Sequence, residues 1–203
     1  MNHPFFLVLL TVGSVYLALL WQGDLRAAIR GQSNANALPG ATPAPAKVVV
    51  IAIIGAIILL VAETMGEIRL GIADQQSTMT WLFALYSVCG APIIEETIFR
   101  GFLVIENRGK TILWWGAVGA SLAFALFHPF LWRWDEAGFA LTLTLKGWFS
   151  TLVLFAASLW FYAVRLGGWN PQRSLLPCFA AHAAKNLGVV GIKAANGFVV
   201  GLW

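Results

Sequence analysis

Five polar side chains lie inside apolar stretches of the chain, where such groups are rare. They are Glu95 and Glu96 in APIIEETIFRGFL, His128 at the end of SLAFALFH, and His182 and Asn186 in CFAAHAAKN. A charged group at the centre of a membrane span costs at least ~2.5 kcal/mol on insertion scales and usually marks a pathway or a reacting site. A carboxylate beside a histidine can take a proton from water, and a histidine with an asparagine can stabilise an oxyanion. This combination predicts hydrolysis.

Helical spacing separates the two neighbouring carboxylates. Glu96 and Arg100 are four residues apart with the acid first, which is the favourable order for an ion pair on one helix face. Glu95 lies about 100° round the helix from Glu96. One carboxylate is therefore expected to pair with Arg100 while the other faces the bundle interior.

The remaining motifs follow the same spacing. His182 and Asn186 share one helix face, and Phe124 and His128 share another, with Pro129 ending or bending that helix. Three helices can then supply one carboxylate, two imidazoles and one amide to a common pocket.

Other protease chemistries have little support in the residues. No serine lies in a nucleophile elbow, and no H-E-x-x-H sequence occurs. Cys178 precedes His182 by four residues, so a cysteine nucleophile is an alternative, but a small buried cysteine in an alanine-rich helix is the favoured interpretation. Cys89 also falls in an apolar segment, and both cysteines are expected to be buried free thiols.

The elements that must position these residues are membrane-spanning helices. Of the 203 residues, 59% are apolar and only 11% are charged, against about half and a quarter in soluble domains. At about 20 residues per span, the chain predicts an all-α, polytopic transmembrane helical bundle of about six spans, with a range of five to eight. The whole of 1–203 is expected to form a single membrane domain. The apolar runs cover 4–21, 48–62, 80–105, 111–130, 147–164 and 175–190.

The segments between the runs indicate the organisation of the domain. Residues 4–21 and 48–62 are predicted N-terminal spans joined by a flexible, Pro-rich linker at 31–46, and 80–190 carry every motif and form the predicted protease core. Residues 138–145 are also apolar, so the fifth helix is expected to start early or to follow a re-entrant piece.

The distribution of charge predicts orientation and excludes one class of partner. The net charge is +4, but no basic run exists, so nucleic acid is not an expected partner. Lysines and arginines are more frequent in alternate loops, which predicts that loops 22–47, 106–110 and 165–174 are cytoplasmic and that both termini lie outside.

Each candidate residue also has a structural interpretation when it is taken alone. A Glu96–Arg100 pair often only holds helices together, and a histidine beside Pro129 is often a hydrogen-bonded interface residue. Lys185 is expected to snorkel, to pair with an acid or to face a wet cavity. Their occurrence together in one small chain favours a shared function.

The ordered motifs EETIFR, FALFH and HAAKN resemble those of the CPBP family of intramembrane proteases, also called the CAAX-protease and bacteriocin-processing or Abi family. The family pattern is EExxxR, FxxxH and HxxxN on separate membrane helices, and all three motifs occur here in that order. The resemblance spans 95–186. It implies an intramembrane endopeptidase that cleaves a membrane-associated peptide or protein within or beside the lipid bilayer.

Residue roles follow from this resemblance motif by motif. Glu95 is implied to be the general base that activates water, with His128 assisting, and His182 and Asn186 are implied to stabilise the oxyanion. Glu96, Arg100 and Phe124 are implied to support them. The candidate site therefore has four catalytic residues, Glu95, His128, His182 and Asn186, and these three supporting residues.

The resemblance leaves the metal and the substrate open. No cofactor is favoured, yet Glu95, His128 and His182 would also suit zinc. Prenylated CAAX tails are the substrates of one subfamily, and the short loops and small size suit a protein of the prokaryotic cytoplasmic membrane. Peptide processing, bacteriocin maturation and self-immunity are the roles to be weighed there.

Two other classes of function compete with an enzyme. A non-catalytic membrane scaffold or bacteriocin self-immunity factor would keep the motifs for packing. A small proton-coupled transporter would use Glu95, His128 and Lys185 as a relay, although such proteins normally carry an internal repeat and none is found here.

Overall fold

The computed structural model describes residues 4–32 and 34–202 and is largely helical. A short antiparallel hairpin, β1 and β2, separates the fifth and sixth helices. The elements are α1 Pro4–Ile29, α2 Ala46–Leu70, α3 Trp81–Cys89, α4 Ala91–Glu96, a π-helix Thr97–Phe102, α5 Lys110–Phe127, β1 Trp132–Asp135, β2 Gly138–Leu141, α6 Leu145–Leu166 and α7 Leu176–Ala195.

Five helical stretches within the described residues are long and apolar enough to cross a membrane. They are Phe5–Ile29, Ala46–Leu70, Trp81–Phe102, Lys110–Phe127 and Leu145–Leu166. The third of them combines α3, α4 and the π-helix. The more polar α7 packs against α2, α3, α4 and α6, which keeps its polar residues inside the bundle. The protein is an integral membrane protein, and the predicted all-α polytopic bundle is confirmed. The five candidate spans lie within the predicted range of five to eight but are one fewer than six, because the predicted span at 175–190 is the more polar α7, which is not among them.

Small residues bring the central helices together. Ala52 and Ala56 on α2 are fully buried, and Trp160 of α6 donates a hydrogen bond of 3.0 Å from its indole nitrogen to the Ala52 carbonyl. A Cβ atom at Gly55 would lie 2.2 Å from the Trp160 ring. Without a hydrophobic driving force between helices in lipid, close approach of this kind supplies much of the packing energy.

The two ends of the bundle differ in structure. The linker end comprises residues 31–32, 34–45, 103–109 and 167–175, and the hairpin end comprises residues 71–80, 128–144 and 196–202. The linker predicted to be flexible includes Ser33, which lies outside the described residues. Its second part contacts the bundle, since the Trp21 indole donates to the Pro39 carbonyl at 3.3 Å and the Leu175 amide donates to the Gly40 carbonyl at 3.0 Å.

The hairpin corrects the prediction for residues 138–145. Gly138–Leu141 form β2, paired with β1 from Trp132↔Leu141 to Asp135↔Gly138, so the helix of the fifth span does not start there. Gly138 has a φ of 101°, a left-handed conformation that permits the tight turn. Helix α6 begins at Leu145, where the Thr144 hydroxyl accepts a hydrogen bond from the Gly147 amide.

The two cysteines have different surroundings. Both are free thiols; Cys178 is buried in the core, as expected, whereas Cys89 is exposed. The expectation of burial was wrong for Cys89 because it is the last residue of α3 and lines an open groove between α1 and α3.

Candidate active site

The buried Arg100 organises the first motif. Its Nη1 lies 3.1 Å from Glu96 Oε1, so the ion pair expected from their spacing forms, and neither side chain is exposed. Its Nη2 donates a hydrogen bond of 2.5 Å to the Ser158 hydroxyl of α6. Its guanidinium carbon also lies 4.5 Å from the centroid of the Phe124 ring, a cation–π contact. These contacts hold a charge pair in an interior where an unpaired charge would be costly.

The π-helix places this arginine and is itself held by α6. The Tyr162 hydroxyl donates to the Phe99 carbonyl and lies 3.2 Å from the Leu103 carbonyl. Short π-helical segments inside α-helices occur frequently at functional sites. Here the segment starts directly after the two carboxylates, at Thr97.

His182 is oriented by the buried carboxylate. Its Nδ1 lies 2.7 Å from Glu96 Oε1, and its ring stacks on Phe161 with a centroid distance of 5.3 Å. Since a carboxylate can only accept, Nδ1 is the donor and Nε2 is directed toward the other carboxylate. That nitrogen is 3.8 Å from Glu95 Oε2. The gap is too long for a direct hydrogen bond but allows one water to contact both atoms.

Glu95 and His128 lie at the boundary of two cavities. The Glu95 side chain is 27% exposed, in contrast to the fully buried Glu96. His128 follows the last residue of α5 with extended backbone, and its Nδ1 lies 2.8 Å from the Phe124 carbonyl. Because that carbonyl accepts, Nδ1 donates and Nε2 is free to exchange a proton.

Asn186 joins α7 to α3. Its Nδ2 donates a hydrogen bond of 2.7 Å to the Ser87 carbonyl. An amide nitrogen carries two hydrogens, so one remains available to a ligand.

One cavity collects the four predicted catalytic residues. This central cavity has a volume of about 410 Å³, and its walls include Glu95, His128, His182 and Asn186. The hairpin cavity, of about 660 Å³, shares Glu95, Phe124 and His128 with it and continues toward the β-hairpin. Together they provide an extended space on both sides of the Glu95 carboxylate.

A second charge pair, between α2 and α7, lines the central cavity. Lys185 Nζ lies 2.6 Å from Glu63 Oε2, and both side chains line the cavity. The expectation that Lys185 pairs with an acid or faces a cavity is therefore met in both respects. The partner Glu63 lies directly after the predicted apolar run at 48–62 but is still helical, since α2 continues to Leu70.

Several residues of the site were not predicted. Ser158, Phe161 and Tyr162 of α6 surround Arg100 and His182, yet they belong to no motif. Only Glu63 carried a signal, since it is an acid directly after the apolar run at 48–62. The contact between Glu96 and His182 was also not predicted, because Glu96 was paired with Arg100 alone.

The described side chains do not form a metal-binding group. Within residues 4–32 and 34–202, no three His, Cys, Asp or Glu side chains are placed to hold a metal ion. The set considered for zinc, Glu95, His128 and His182, is therefore not assembled as one. In addition, the histidine Nδ1 atoms of His128 and His182 already contact Phe124 and Glu96.

Comparison with known families decides the relationship. The family described as type II CAAX prenyl endopeptidase Rce1-like matches residues 77–188, more than half of the chain. The chain belongs to this family. The resemblance to the CPBP proteases is thereby confirmed, and the protein is a membrane protease of the CAAX type whose substrates are membrane-associated peptides. Comparison with curated proteins and with solved structures gave no match.

The family match covers all three motifs of the site. The matched region of this Rce1-like protease runs from the segment before α3 to the middle of α7 and includes both carboxylates, both histidines and Asn186. Helices α1 and α2 lie outside it. Glu63 is therefore a feature of this chain that the family match does not cover.

Proposed function

We propose that this Rce1-like protein is an endopeptidase that hydrolyses a peptide bond in the membrane with water activated by Glu95. The observation that carries the proposal is the convergence of Glu95, His128, His182 and Asn186 on one cavity of about 410 Å³. Their side chains provide a proton acceptor, a proton carrier and two hydrogen-bond donors, which is the set that peptide hydrolysis needs.

Glu95 and His128 act on the water and the leaving group. The Glu95 carboxylate removes a proton from water as the oxygen attacks the carbonyl carbon of the substrate. As the C–N bond breaks, the leaving nitrogen receives this proton and departs as an amine, and Nε2 of His128 assists in the proton transfer. General acid–base catalysis by positioned groups contributes typically ~10²–10⁴-fold to the rate.

His182 and Asn186 receive the developing oxyanion. Asn186 offers the second hydrogen of its Nδ2, since the first is donated to Ser87. His182 donates from Nε2 when the ring carries a proton on both nitrogens.

No step of this proposal passes through a metal ion. His182 Nδ1 is bonded to Glu96, and no three candidate ligands converge among the described residues. The protein's own groups supply the base and the oxyanion donors. Chelation tests the zinc alternative.

The setting of the reaction is also proposed from the sequence. We place the protein in a prokaryotic cytoplasmic membrane because the chain is small and its loops are short. Loops 22–47, 106–110 and 165–174 are placed on the cytoplasmic side because together they hold seven lysines and arginines, against three in loops 63–79 and 131–146. The linker end of the bundle would then face the cytoplasm.

The decisive experiment compares variants on a defined substrate. Purified protein in liposomes is given quenched fluorescent peptides that carry either a farnesylated cysteine and three further residues or the same residues without the lipid. Glu95→Gln and His128→Ala are expected to lower kcat by about 10²–10⁴-fold while the protein inserts and accumulates normally.

Two matched controls accompany these variants. Glu136→Gln makes the same chemical change at an exposed residue between the hairpin strands, and Cys178→Ala removes the alternative nucleophile; both are expected to retain cleavage. Unchanged cleavage by Glu95→Gln and His128→Ala would contradict the mechanism. Wild-type protein that cleaves neither peptide would contradict the substrate class, and loss of abundance in place of activity would favour a scaffold.

A further inference from the structure

A second large pocket lies at the linker end, away from the central cavity. Its volume is about 630 Å³. Its walls come from four separate parts of the chain: the linker, the end of the π-helix, the loop before α5, and the connection from α6 to α7. None of its lining residues also lines the central cavity. The pocket therefore needs an explanation of its own.

Arg165 provides a buried positive charge in this pocket without a carboxylate partner. The residue is only 4% exposed, and its Nη1 donates a hydrogen bond of 2.6 Å to the Arg173 carbonyl. Its Nε is buried without any hydrogen-bond partner, and no acid of the described residues forms an ion pair with it. Among the other buried Lys and Arg residues that the structure describes, Arg100 and Lys185 are each paired with a glutamate, and Lys193 donates hydrogen bonds to Ser77. Since a buried charge is costly unless it is paired, the Arg165 guanidinium lacks an anion.

A second arginine and several amides complete the lining. Arg173 lies at the same pocket, half-exposed, with its Nη1 3.0 Å from Glu106 Oε1. Asn107 and Gln172 also line it and can donate hydrogen bonds. Two guanidinium groups against one carboxylate leave a positive charge, and a guanidinium fork matches the oxygens of a phosphate.

The position of the pocket in the bundle indicates the source of that phosphate. The candidate spans end around it at Ile29, Phe102 and Leu166 and start again at Ala46 and Lys110. The pocket is therefore at the depth of lipid headgroups. Its edge includes Phe102, which is 61% exposed, and the exposed Ile105, so acyl chains would find apolar surface beside the headgroup site.

We propose that this pocket binds a phosphate-bearing anion through Arg165 and Arg173, and that the anion is the headgroup of an anionic membrane lipid. Basic pockets between transmembrane helices bind lipid headgroups by the same chemistry. The bound phosphate supplies the missing partner of Arg165 and joins the linker to the connection between α6 and α7. The inference concerns binding alone and does not depend on the proposed peptidase mechanism.

Thermal unfolding of the full-length protein tests the site. Tryptophan fluorescence follows unfolding in phosphate-free detergent solution at increasing concentrations of phosphatidylglycerol, phosphatidylcholine or inorganic phosphate. We expect a saturable rise in the unfolding midpoint with phosphatidylglycerol and little with phosphatidylcholine, because ligands that bind the native state stabilise it by mass action. A response to phosphatidylglycerol alone assigns the anion to lipid. A response to inorganic phosphate of equal size and affinity would overturn that assignment.

Three variants make the test specific to the pocket. Arg165→Gln is expected to raise the half-maximal phosphatidylglycerol concentration roughly tenfold, because it removes charge-assisted hydrogen bonds to the headgroup. Glu106→Gln removes the competing carboxylate and is expected to lower that concentration roughly threefold, a gain that misfolding cannot produce. Arg133→Gln, at an exposed arginine of the hairpin end, is the control and should leave the response unchanged.

Three results would contradict the proposed headgroup site. An equal response to phosphatidylcholine, or equal effects of Arg165→Gln and Arg133→Gln, would show that no headgroup site exists at this pocket. An unchanged response in Glu106→Gln would also contradict it.

Discussion

Substitution of Glu96 by glutamine tests how a carboxylate that never reaches the cavity acts on catalysis. Glu96 is fully buried, and its Oε1 is shared between Arg100 at 3.1 Å and His182 Nδ1 at 2.7 Å. The glutamine has the same shape but no charge. We therefore expect it to release the histidine ring from its fixed orientation toward Glu95.

The size of the effect follows from the kind of hydrogen bond that is lost. Bonds to charged groups contribute roughly 1.5–3 kcal/mol, and each ~1.4 kcal/mol corresponds to tenfold in rate. If this hydrogen-bond energy is lost in the transition state, kcat should fall about 10- to 150-fold. Arg100 also loses its anion, and removal of one partner from a buried pair costs about 3–5 kcal/mol of folding free energy.

A double-mutant cycle separates catalysis from folding. Cleavage of the fluorescent peptide is measured for Glu96→Gln, for His182→Ala and for the double variant, each corrected for the fraction of folded protein. If Glu96 acts through His182, the glutamine should cost little further activity once the imidazole is absent. Glu96→Asp is the second variant, because it keeps the charge but withdraws the carboxylate by about one bond length, ~1.5 Å.

Additivity would refute this reasoning. If Glu96→Gln lowers kcat by the same factor with and without the imidazole, the carboxylate does not work through His182. Full activity of Glu96→Asp would likewise show that the 2.7 Å contact is not needed.

Three further results are expected. Gly55→Ala should lower the unfolding free energy by about 1–3 kcal/mol, because the new methyl group meets the Trp160 ring, and Trp160→Leu should restore part of this loss. Thermal unfolding measures both variants. An unchanged midpoint for Gly55→Ala would show that the two helices can move apart without cost. Glu63→Gln should lower the unfolding free energy by about 3–5 kcal/mol, because it leaves Lys185 unpaired in the bundle. The double variant Glu63→Gln, Lys185→Met should recover most of this loss in the same measurement. Equal midpoints for the single and double variants would contradict the charge-pair argument. Prolonged incubation with a strong zinc chelator should leave peptide cleavage unchanged, and loss of activity that zinc restores would establish a metal-dependent reaction in place of the proposed one.

Much of the architecture could be predicted because lipid imposes a simple rule. A span must be about 20 apolar residues long and must satisfy its backbone internally, so the runs of the sequence predict helices. The helix ends were less predictable: α1 continues to Ile29 and α2 to Leu70, well beyond the apolar runs. Polar residues lower the hydropathy at those ends, so the apolar runs stop short of the helix ends. On α2 two of these residues, Glu63 and Glu67, face the bundle and pair with lysines. The strand at Gly138–Leu141 was missed because its composition matches that of a helix segment.

The chain by itself determined the local part of the site. The spacing of Glu96 and Arg100 determines their ion pair, and the helical period separates Glu95 from both. Only the tertiary structure decided which distant groups meet. Glu96 and His182 are 86 positions apart, and Glu63 and Lys185 are 122 apart, so their contacts depend on which helices are neighbours. Helix period is a property of the backbone that every sequence shares, whereas helix neighbours follow from the fit of small and large side chains over the whole bundle, which no single motif contains.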